Sequence, residues 1–121
     1  MKSIQDPRHM RRAKIIQGLF QYSYTNNTEG FDQAQPIISK LESIDRIIKQ
    51  AAPEWPLDKL NRVDLAILRL SIWELINQDN PEKVIIDEAI ELAKEFGSDN
   101  SSKFINGALG AALQIIKPKS D

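Results

Sequence analysis

The stretch RVDLAILRLSIWELI, residues 62–76, is apolar on nearly every side of the helix that it predicts. A helix with apolar residues all round must be enclosed by other elements, so this one is expected to be the central, buried helix of a bundle. Asn61 and Asp64 occupy the N-cap and N3 positions of a capping box at its start, and the helix is predicted to end near residue 78. The rest of the chain must therefore supply the helices that surround it.

Two charged residues, Arg69 and Glu74, interrupt this apolar helix. A charge on such a helix is costly unless it is paired or reaches the surface. The two side chains could sit at the exposed edge of the helix, or they could rim a docking surface for another protein. The residues alone leave both interpretations open.

Helical signals recur along the whole chain, and no period-2 pattern flanked by hairpin turns indicates a strand. Asp6 and Pro7 predict an N-cap followed by proline at the first helical position, and Pro36 can open a second helix that Pro53 ends. We expect an all-α fold in a single domain over residues 1–121. The predicted helices cover about 7–24, 36–52, 62–78, 84–96 and 99–116.

Composition narrows the class of protein. The 121 residues contain no cysteine, which excludes disulfides, thiolate catalysis and cysteine-based zinc sites and fits a reducing compartment. No run of about 18 apolar residues is present, and the N-terminus is polar where a signal peptide would need an apolar segment. We therefore expect a soluble, cytoplasmic protein with no membrane partner.

The net charge of −1 hides an asymmetry along the chain. Residues 1–14 carry five cations against Asp6, a balance of +4 that the remainder of the chain outweighs. Three arginines stand at positions i, i+3 and i+4 on one face of the first helix, where their planar guanidinium groups can each bind two phosphate oxygens. The cluster contains no acidic i+4 partner, which favours a missing anionic ligand over a merely solvated face. The five cations are Lys2, Arg8, Arg11, Arg12 and Lys14.

Two further groups could suggest a catalytic or metal site. His9 has neither a second histidine nor a cysteine to build one, and the neighbouring cations disfavour its charged form, so a neutral hydrogen-bonding role or none is expected. Glu88, Glu91 and Glu95 share one helix face, where a solvated acidic surface is favoured over a metal site. No phosphate-binding loop or nucleophile elbow occurs, so no enzyme activity is expected. The helix predicted over residues 84–96 also has an apolar face. It is expected to contain Ile86, Ala89, Ile90, Ala93 and Phe96.

The segment EFGSDNSSKFINGALGAAL, residues 95–113, ends one helix at Gly97 and starts the next. Gly107, Gly110 and the alanines around them predict a close approach to a neighbouring helix, since glycine otherwise costs about 1 kcal/mol in a helix interior. Lys103 lies near the helix N-terminus, where an anion would be favoured both by the lysine and by the free backbone N–H groups. The segment therefore predicts close helix packing and a second anion-binding position.

Together with the helix quoted first, the segment PEKVIIDEAIELAKEFGSDNSSKFINGAL, residues 81–109, resembles the NusB transcription antitermination family. The family's buried helix reads D-x-A-I-L-R-x-A-x-x-E-L, and it is followed by K-V-x-I-[ND]-E-A-[IV]-E-L-A-K-x-[FY]-G and K-F-[IV]-N-G. The segment RRAKIIQGLFQ, residues 11–21, is similar to the family's basic opening over a shorter run.

The resemblance implies an all-helical fold of about six to seven helices in two packed small bundles, with no catalysis. Proteins of the family bind the boxA element of nascent, single-stranded RNA together with the small-subunit ribosomal protein NusE. The pair helps RNA polymerase antitermination complexes read through terminators, chiefly in ribosomal RNA operons. The residues that the resemblance implies are Arg8, Arg11, Arg12 and Lys103 for RNA, and Phe20 and Glu74 for the partner protein. Lys14 of the basic cluster and Arg69 of the apolar helix complete the two predicted surfaces.

Alternatives to this function remain open at the level of sequence. A helical adaptor that binds proteins without significant RNA affinity would suit the reduced basic motif, and an exposed first helix would serve a homodimer as well as a partner. The same fold occurs as an extension of ribosomal RNA methyltransferases, but this sequence has no glycine-rich cofactor-binding segment. RNA affinity separates the adaptor from the antitermination factor.

Overall fold

The computed structural model describes residues 6–118, and this part of the chain is all-helical, as the sequence predicts. Within it are six α-helices and two short 3₁₀ helices, Asp32–Ala34 and Leu57–Lys59, and no strand. None of the described helices is long and apolar enough to cross a membrane. The α-helices are α1 (Pro7–Thr25), α2 (Gln35–Ile38), α3 (Leu41–Ala51), α4 (Arg62–Asn77), α5 (Glu82–Phe96) and α6 (Ser101–Ile116).

Both ends of α1 are set by local chemistry. The Asp6 side chain accepts a 2.9 Å hydrogen bond from the backbone N–H of Arg8, and Pro7 takes the first helical position, where its missing N–H costs nothing. The helix ends at Asn26, which adopts the left-handed conformation with φ 59°. Asparagine tolerates this conformation because its short side chain can hydrogen-bond locally.

α4 is the central helix that the sequence predicts. The Oδ1 atom of its N-cap, Asn61, accepts hydrogen bonds from the backbone N–H groups of Val63 (2.8 Å) and Asp64 (3.3 Å). Eleven of its residues are buried, and it contacts α1, α3, α5 and α6. The apolar surface on nearly all sides of α4 is therefore matched by helices on nearly all sides.

The other helices pack around α4 in two groups. α1 lies against it together with α2 and the first 3₁₀ helix, whereas α5 and α6 pack against it and each other, and α3 joins them through α6. Buried apolar residues from all six helices form one continuous core. The two small bundles expected from the resemblance are thus present, and they share α4.

The second predicted helix is divided in the structure. α2 ends at Ile38, and α3 begins at Leu41. Between them the backbone N–H of Lys40 bonds to the carbonyl of Ile37 at 3.0 Å, and the Ser39 hydroxyl donates to the carbonyl of Pro36 at 2.7 Å. These shorter-range bonds compete with the helical ladder, so the single helix expected from the apolar stripe is wrong. The predicted core residues Ile37, Ile44 and Ile48 are nevertheless fully buried.

The expected packing role of the α6 glycines is wrong. A Cβ atom added at Gly107 or Gly110 would meet no described atom within 4 Å, because both lie on an exposed face of α6. The glycine that permits close approach is Gly18 in α1. There a Cβ atom would lie 2.5 Å from the Cβ of Phe31 and 3.2 Å from that of Ala34, so α1 could not pack against this turn with a larger residue.

α5 is rotated relative to the expected apolar face. Ala89 and Ala93 are buried as predicted, but Ile86 and Ile90 are only partly buried, and Phe96 is 40% exposed. The buried stripe instead contains a carboxylate, Glu88, which is 1% exposed. Its buried residues are Ile85, Glu88, Ala89, Leu92 and Ala93.

Candidate nucleic-acid interface

The structure divides the arginine face predicted on α1. Arg8 is exposed and its Nε lies 3.7 Å from the Asp6 carboxylate, and Arg11 is exposed and donates from Nε to Oε1 of Gln33 at 3.0 Å. Arg12, in contrast, is only 7% exposed. Two of the three guanidinium groups therefore face the solvent, where an anion could reach them.

Arg12 forms an ion pair with Glu74 of α4. Its Nε donates to both carboxylate oxygens, at 3.0 and 3.2 Å, and its Nη2 donates to Oε1 at 2.8 Å. Burial alone would lower the pKa of Arg12, but the hydrogen bonds and the charge of Glu74 outweigh it, so the pKa is raised and the charge is held. The cluster has no acidic i+4 partner, but the charge of Arg12 is balanced by Glu74, 62 residues away in the sequence, so a missing anionic ligand is the wrong interpretation for this arginine.

The arginines border a cleft between α1 and the C-terminal half of α4. The cleft has a volume of about 230 Å³. Its aromatic wall is Trp73, and its polar end is formed by Asp79 and Asn80 in the turn that follows α4. Cations beside an aromatic ring are the groups on which an unstacked base and its phosphates can rest. Arg8, Arg11 and Arg12 all line this cleft.

The two predicted lysines lie at other places on the surface. Lys14 is exposed on α1 and borders a hollow formed with the turn at Gly30 and Phe31. Lys103 is exposed in the first turn of α6, beside Trp55 and Phe104. Neither lysine lines the arginine cleft. Lys2, part of the N-terminal charge balance, lies outside the described residues.

His9 is held between two carboxylates of α5. Its Nδ1 lies 2.6 Å from Oε1 of Glu88, and its Nε2 lies 2.6 Å from Oε2 of Glu95. Burial lowers the pKa of His9, but the hydrogen bonds to Glu88 and Glu95 raise it by more than burial lowers it. The pKa of His9 is therefore raised overall. In its protonated form the ring donates from both nitrogens. The expectation of a neutral histidine is therefore wrong, and His9 instead joins the start of α1 to α5.

The carboxylate face of α5 is also different from its prediction. Glu88 is buried against His9, and Glu95 contacts the same ring, so of these three carboxylates only Glu91 has the expected solvated character. Within residues 6–118 no group of three or more histidine, cysteine or acidic side chains could hold a metal ion. Glu88 and Glu95 therefore form a charge network with His9 of α1, and Glu91 faces the solvent.

The residues predicted to face a partner protein differ in exposure. Phe20 is 36% exposed, but Arg69 and Glu74 are each 8% exposed, so of the two interpretations left open by the sequence, the one that places them at an exposed edge is wrong. Arg69 donates from Nε and Nη2 to the two oxygens of Asp45 in α3, at 3.0 Å each. Their charges are satisfied by partners within the fold, which is what burial of a charge requires. Whether either one also contacts a partner protein stays a prediction.

Phe20 belongs to an ordered aromatic surface that the sequence analysis did not identify. Its ring meets that of Tyr24 edge to face, with centroids 5.1 Å apart, and Tyr24 is 62% exposed. The guanidinium of Arg62 lies 4.1 Å above the Tyr24 ring and is anchored by a hydrogen bond to the carbonyl of Ser23. The i, i+4 spacing of the two rings on α1 was the available signal, but the arginine comes from the start of α4.

Comparisons with known proteins agree with this architecture. A sequence profile described as NusB family matches residues 31–114. A relative from Herpetosiphon aurantiacus, named transcription antitermination protein NusB, is 33% identical over 144 aligned positions, which cover 99% of this chain and 97% of that relative. A second one from Lysinibacillus sphaericus, with the same name, is 37% identical and covers 84% of this chain and 93% of its own length.

Several relatives match over a shorter, more similar segment. The NusB protein of Chloroflexus aggregans is 52% identical over 73 residues, so the chain spans about half the length of that relative (49%). The solved structure of T. maritima NusB superposes with a TM-score of 0.80 at 32% sequence identity, covering 94% of this chain and 93% of that one. The similarity thus extends over sequence and fold.

Proposed function

The chain belongs to the NusB family, and from this premise we propose that it is a transcription antitermination factor that binds boxA-type single-stranded RNA together with NusE. In this role it promotes read-through in ribosomal RNA operons as part of an RNA polymerase antitermination complex. It acts in the cytoplasm and carries out no catalysis. The relatives named above are transcription antitermination proteins, and their name supports the general role.

The observation that carries the RNA-binding part is the arginine cleft. Arg8 and Arg11 present exposed guanidinium groups beside the partly buried ring of Trp73. A guanidinium binds phosphate oxygens in pairs, and an aromatic ring offers its face to an unstacked base of any identity. The cleft thus combines the two kinds of contact that single-stranded RNA requires.

Arg12 contributes to this site in a different way from its neighbours. It lines the cleft, but three hydrogen bonds commit its guanidinium to Glu74. In the proposal its share of phosphate binding is smaller than that of Arg8 or Arg11. The ion pair holds α1 against α4 and so fixes the direction in which the two exposed arginines project.

Lys14 and Lys103 extend the positive surface beyond the cleft. Both are exposed cations on the surface of the fold. Each would neutralise a phosphate without reading a base, which adds affinity in a salt-dependent way. The proposed footprint therefore runs from the arginine cleft toward both lysines.

The proposed partner surface is centred on Phe20 and Tyr24. Both rings are exposed, and the stacked Arg62 side chain holds Tyr24 in place, so ordering them costs little on binding. Buried ion pairs place Glu74 and Arg69 beneath the surface, where they act by supporting α1 and α3. A few cations give only weak RNA binding, so a partner that supplies further contacts makes cooperative binding the expected mode.

The proposal is tested by measuring binding of a boxA-like RNA and of a scrambled RNA of the same composition, with and without NusE. We expect preference for the boxA-like RNA and tighter binding when NusE is present. Binding of NusE without any RNA affinity, alone or in the pair, would instead identify a protein-binding adaptor. Self-association over α1 that RNA and NusE cannot displace would indicate a homodimer.

A further inference from the structure

Trp55 and Phe104 form the walls of two adjoining hollows that are separate from the arginine cleft. Their rings meet edge to face, with centroids 6.4 Å apart and planes at 80°, and Trp55 is 50% exposed. One hollow, of about 330 Å³, opens toward the start of α4 and is named the Trp55 pocket here. The other, of about 570 Å³, opens toward α3 and is bordered by Lys103 and Gly107. The Trp55 pocket is lined by Trp55, Lys59, Leu60, Asn61, Asp64, Ser98, Asn100 and Phe104.

The inner wall of the Trp55 pocket carries a carboxylate that the fold does not satisfy. Asp64 is 6% exposed, and its Oδ1 atom is buried with no hydrogen-bond partner among the described residues. Burial raises the pKa of Asp64, and a hydrogen bond from Ser101 acts in the opposite direction without cancelling it. Native proteins rarely leave a buried acceptor without a donor, so this atom points to a donor that is supplied from outside the fold.

The rest of the pocket indicates what kind of molecule brings that donor. Two aromatic rings offer stacking surface, Lys59 places positive charge at the edge of the pocket, and Lys103 does so in the adjoining hollow. The adjoining hollow is open at Gly107, which has no side chain. A Cβ atom added there would have no neighbour within 4 Å in the described chain. Flat apolar walls with cations at the rim suit a base attached to a phosphate backbone, whereas the lysines would repel an arginine of a partner protein.

We infer that the Trp55 pocket holds one unstacked nucleobase of the bound RNA, with its ring against Trp55 and Phe104 and an exocyclic amino group donating to Oδ1 of Asp64. This inference rests on the proposed function. Cytosine presents such an amino group at N4, and a carboxylate is a suitable acceptor for it. Uracil presents the O4 oxygen at the same place, so two acceptors would face each other. The pocket therefore selects cytosine over uracil.

The Trp55 pocket and the arginine cleft lie toward opposite ends of α4. Asp64 stands near the start of α4 and Glu74 near its end, ten positions or about 15 Å apart along the helix axis. Phosphate contacts at one end position the strand, and a base contact at the other supplies sequence information. The two sites thus have distinguishable effects on binding.

The test measures the affinity of the full chain for oligocytidine and oligouridine of equal length, together with the change in tryptophan fluorescence. The parent is expected to prefer oligocytidine by about tenfold, which is near the lower end of the range for a well-placed base contact. Asp64→Asn should abolish this preference, because the amide can present either a donor or an acceptor. Trp55→Leu should weaken both oligonucleotides by about tenfold, as loss of one stacked base does, and should remove the fluorescence quench.

Arg8→Ala/Arg11→Ala is the matched control, since it should weaken both oligonucleotides and leave their ratio unchanged. If this control loses RNA while Asp64→Asn and Trp55→Leu bind both oligonucleotides as the parent does, the inference is overturned and the proposed function stands. If the parent binds neither oligonucleotide, the inference fails, and the boxA-like RNA experiment with NusE decides the proposed function separately. An oligoarginine peptide that quenches Trp55 in the parent but not in Asp64→Asn would assign the pocket to a partner protein and likewise overturn the inference.

Discussion

The guanidinium of Arg12 and the carboxylate of Glu74 are joined by three hydrogen bonds of 2.8 to 3.2 Å, and both side chains are buried where α1 meets α4. The same arginine belongs to the i, i+3, i+4 cluster whose other members, Arg8 and Arg11, face the solvent. One member of a single basic motif therefore supports the helix, and the other two remain available to a ligand.

Breaking this pair from one side should destabilise the protein strongly. Glu74→Ala leaves the Arg12 charge buried without a partner, so we expect the free energy of unfolding to fall by about 3 kcal/mol. Urea unfolding of Glu74→Ala, Arg12→Ala and the double variant measures the coupling. We expect the double variant to be more stable than the two single effects added together, because it leaves no unpaired charge. Strictly additive losses would show that the pair is not coupled.

Protonation of His9 should make stability depend on pH. The pKa of His9 is raised above 6.5 in the folded state, so the contribution of its pairing with Glu88 and Glu95 is fully present below pH 6.5. It is lost as the pH rises through the raised, folded-state value. The measurement is urea unfolding across this pH range for the parent and for His9→Gln, which cannot be protonated. A parent and variant with the same pH profile above 6.5 would contradict this account.

Glycine replacements on two helices should act in opposite directions. Gly18→Ala places a Cβ atom 2.5 Å from that of Phe31, so we expect a loss of about 1 to 3 kcal/mol from overpacking. Gly107→Ala and Gly110→Ala add a side chain on an open, exposed helix face and should each stabilise α6 by about 0.5 to 1 kcal/mol. Thermal unfolding of the three variants compares them directly. A stabilising Gly18→Ala would show that α1 and the Phe31 turn pack less closely.

The aromatic surface on α1 should separate partner binding from RNA binding. Tyr24→Ala removes an exposed ring together with its contacts to Phe20 and Arg62, and neither ring lines the arginine cleft. We expect binding of NusE to weaken by about tenfold or more, as for an exposed aromatic anchor, and binding of RNA by the chain alone to stay unchanged. Calorimetry with NusE and fluorescence titration with RNA measure the two separately. Equal losses in both would place RNA and the partner on one surface.

The sequence predicts the fold well where the signal is local. The N-caps at Asp6 and Asn61 depend on residues only two or three positions away, and both form. The capping box expected at Asn61 forms only in its Asn61 half, because Oδ1 of Asp64 has no hydrogen-bond partner among the described residues. The buried face of α3 follows the helical period, so Ile44 and Ile48 are found in the core. The same period cannot show which helix faces have neighbours, which is why the open surroundings of Gly107 were not anticipated.

The site is predicted less completely because its charges are paired across long sequence distances. His9 meets Glu88 79 residues later, and Arg12 meets Glu74 62 residues later, so neither partner is visible from local spacing. One usable signal is present in α5, where Glu88 falls between Ile85, Ala89 and Leu92 on the buried stripe. A carboxylate at such a position requires a cation from another element.

The central claim, that the exposed arginines of α1 hold RNA, is tested most directly by the salt dependence of boxA-like RNA binding. The parent is compared with Arg8→Ala/Arg11→Ala and with Lys40→Ala/Lys49→Ala, a control that removes two exposed cations around α3. If both arginines contact phosphates, the double variant should lower the slope of log affinity against log salt by about 1.4, since each contact on a single strand contributes about 0.7. The lysine control should keep the parental slope. Equal slopes for the parent and the arginine variant would contradict the account.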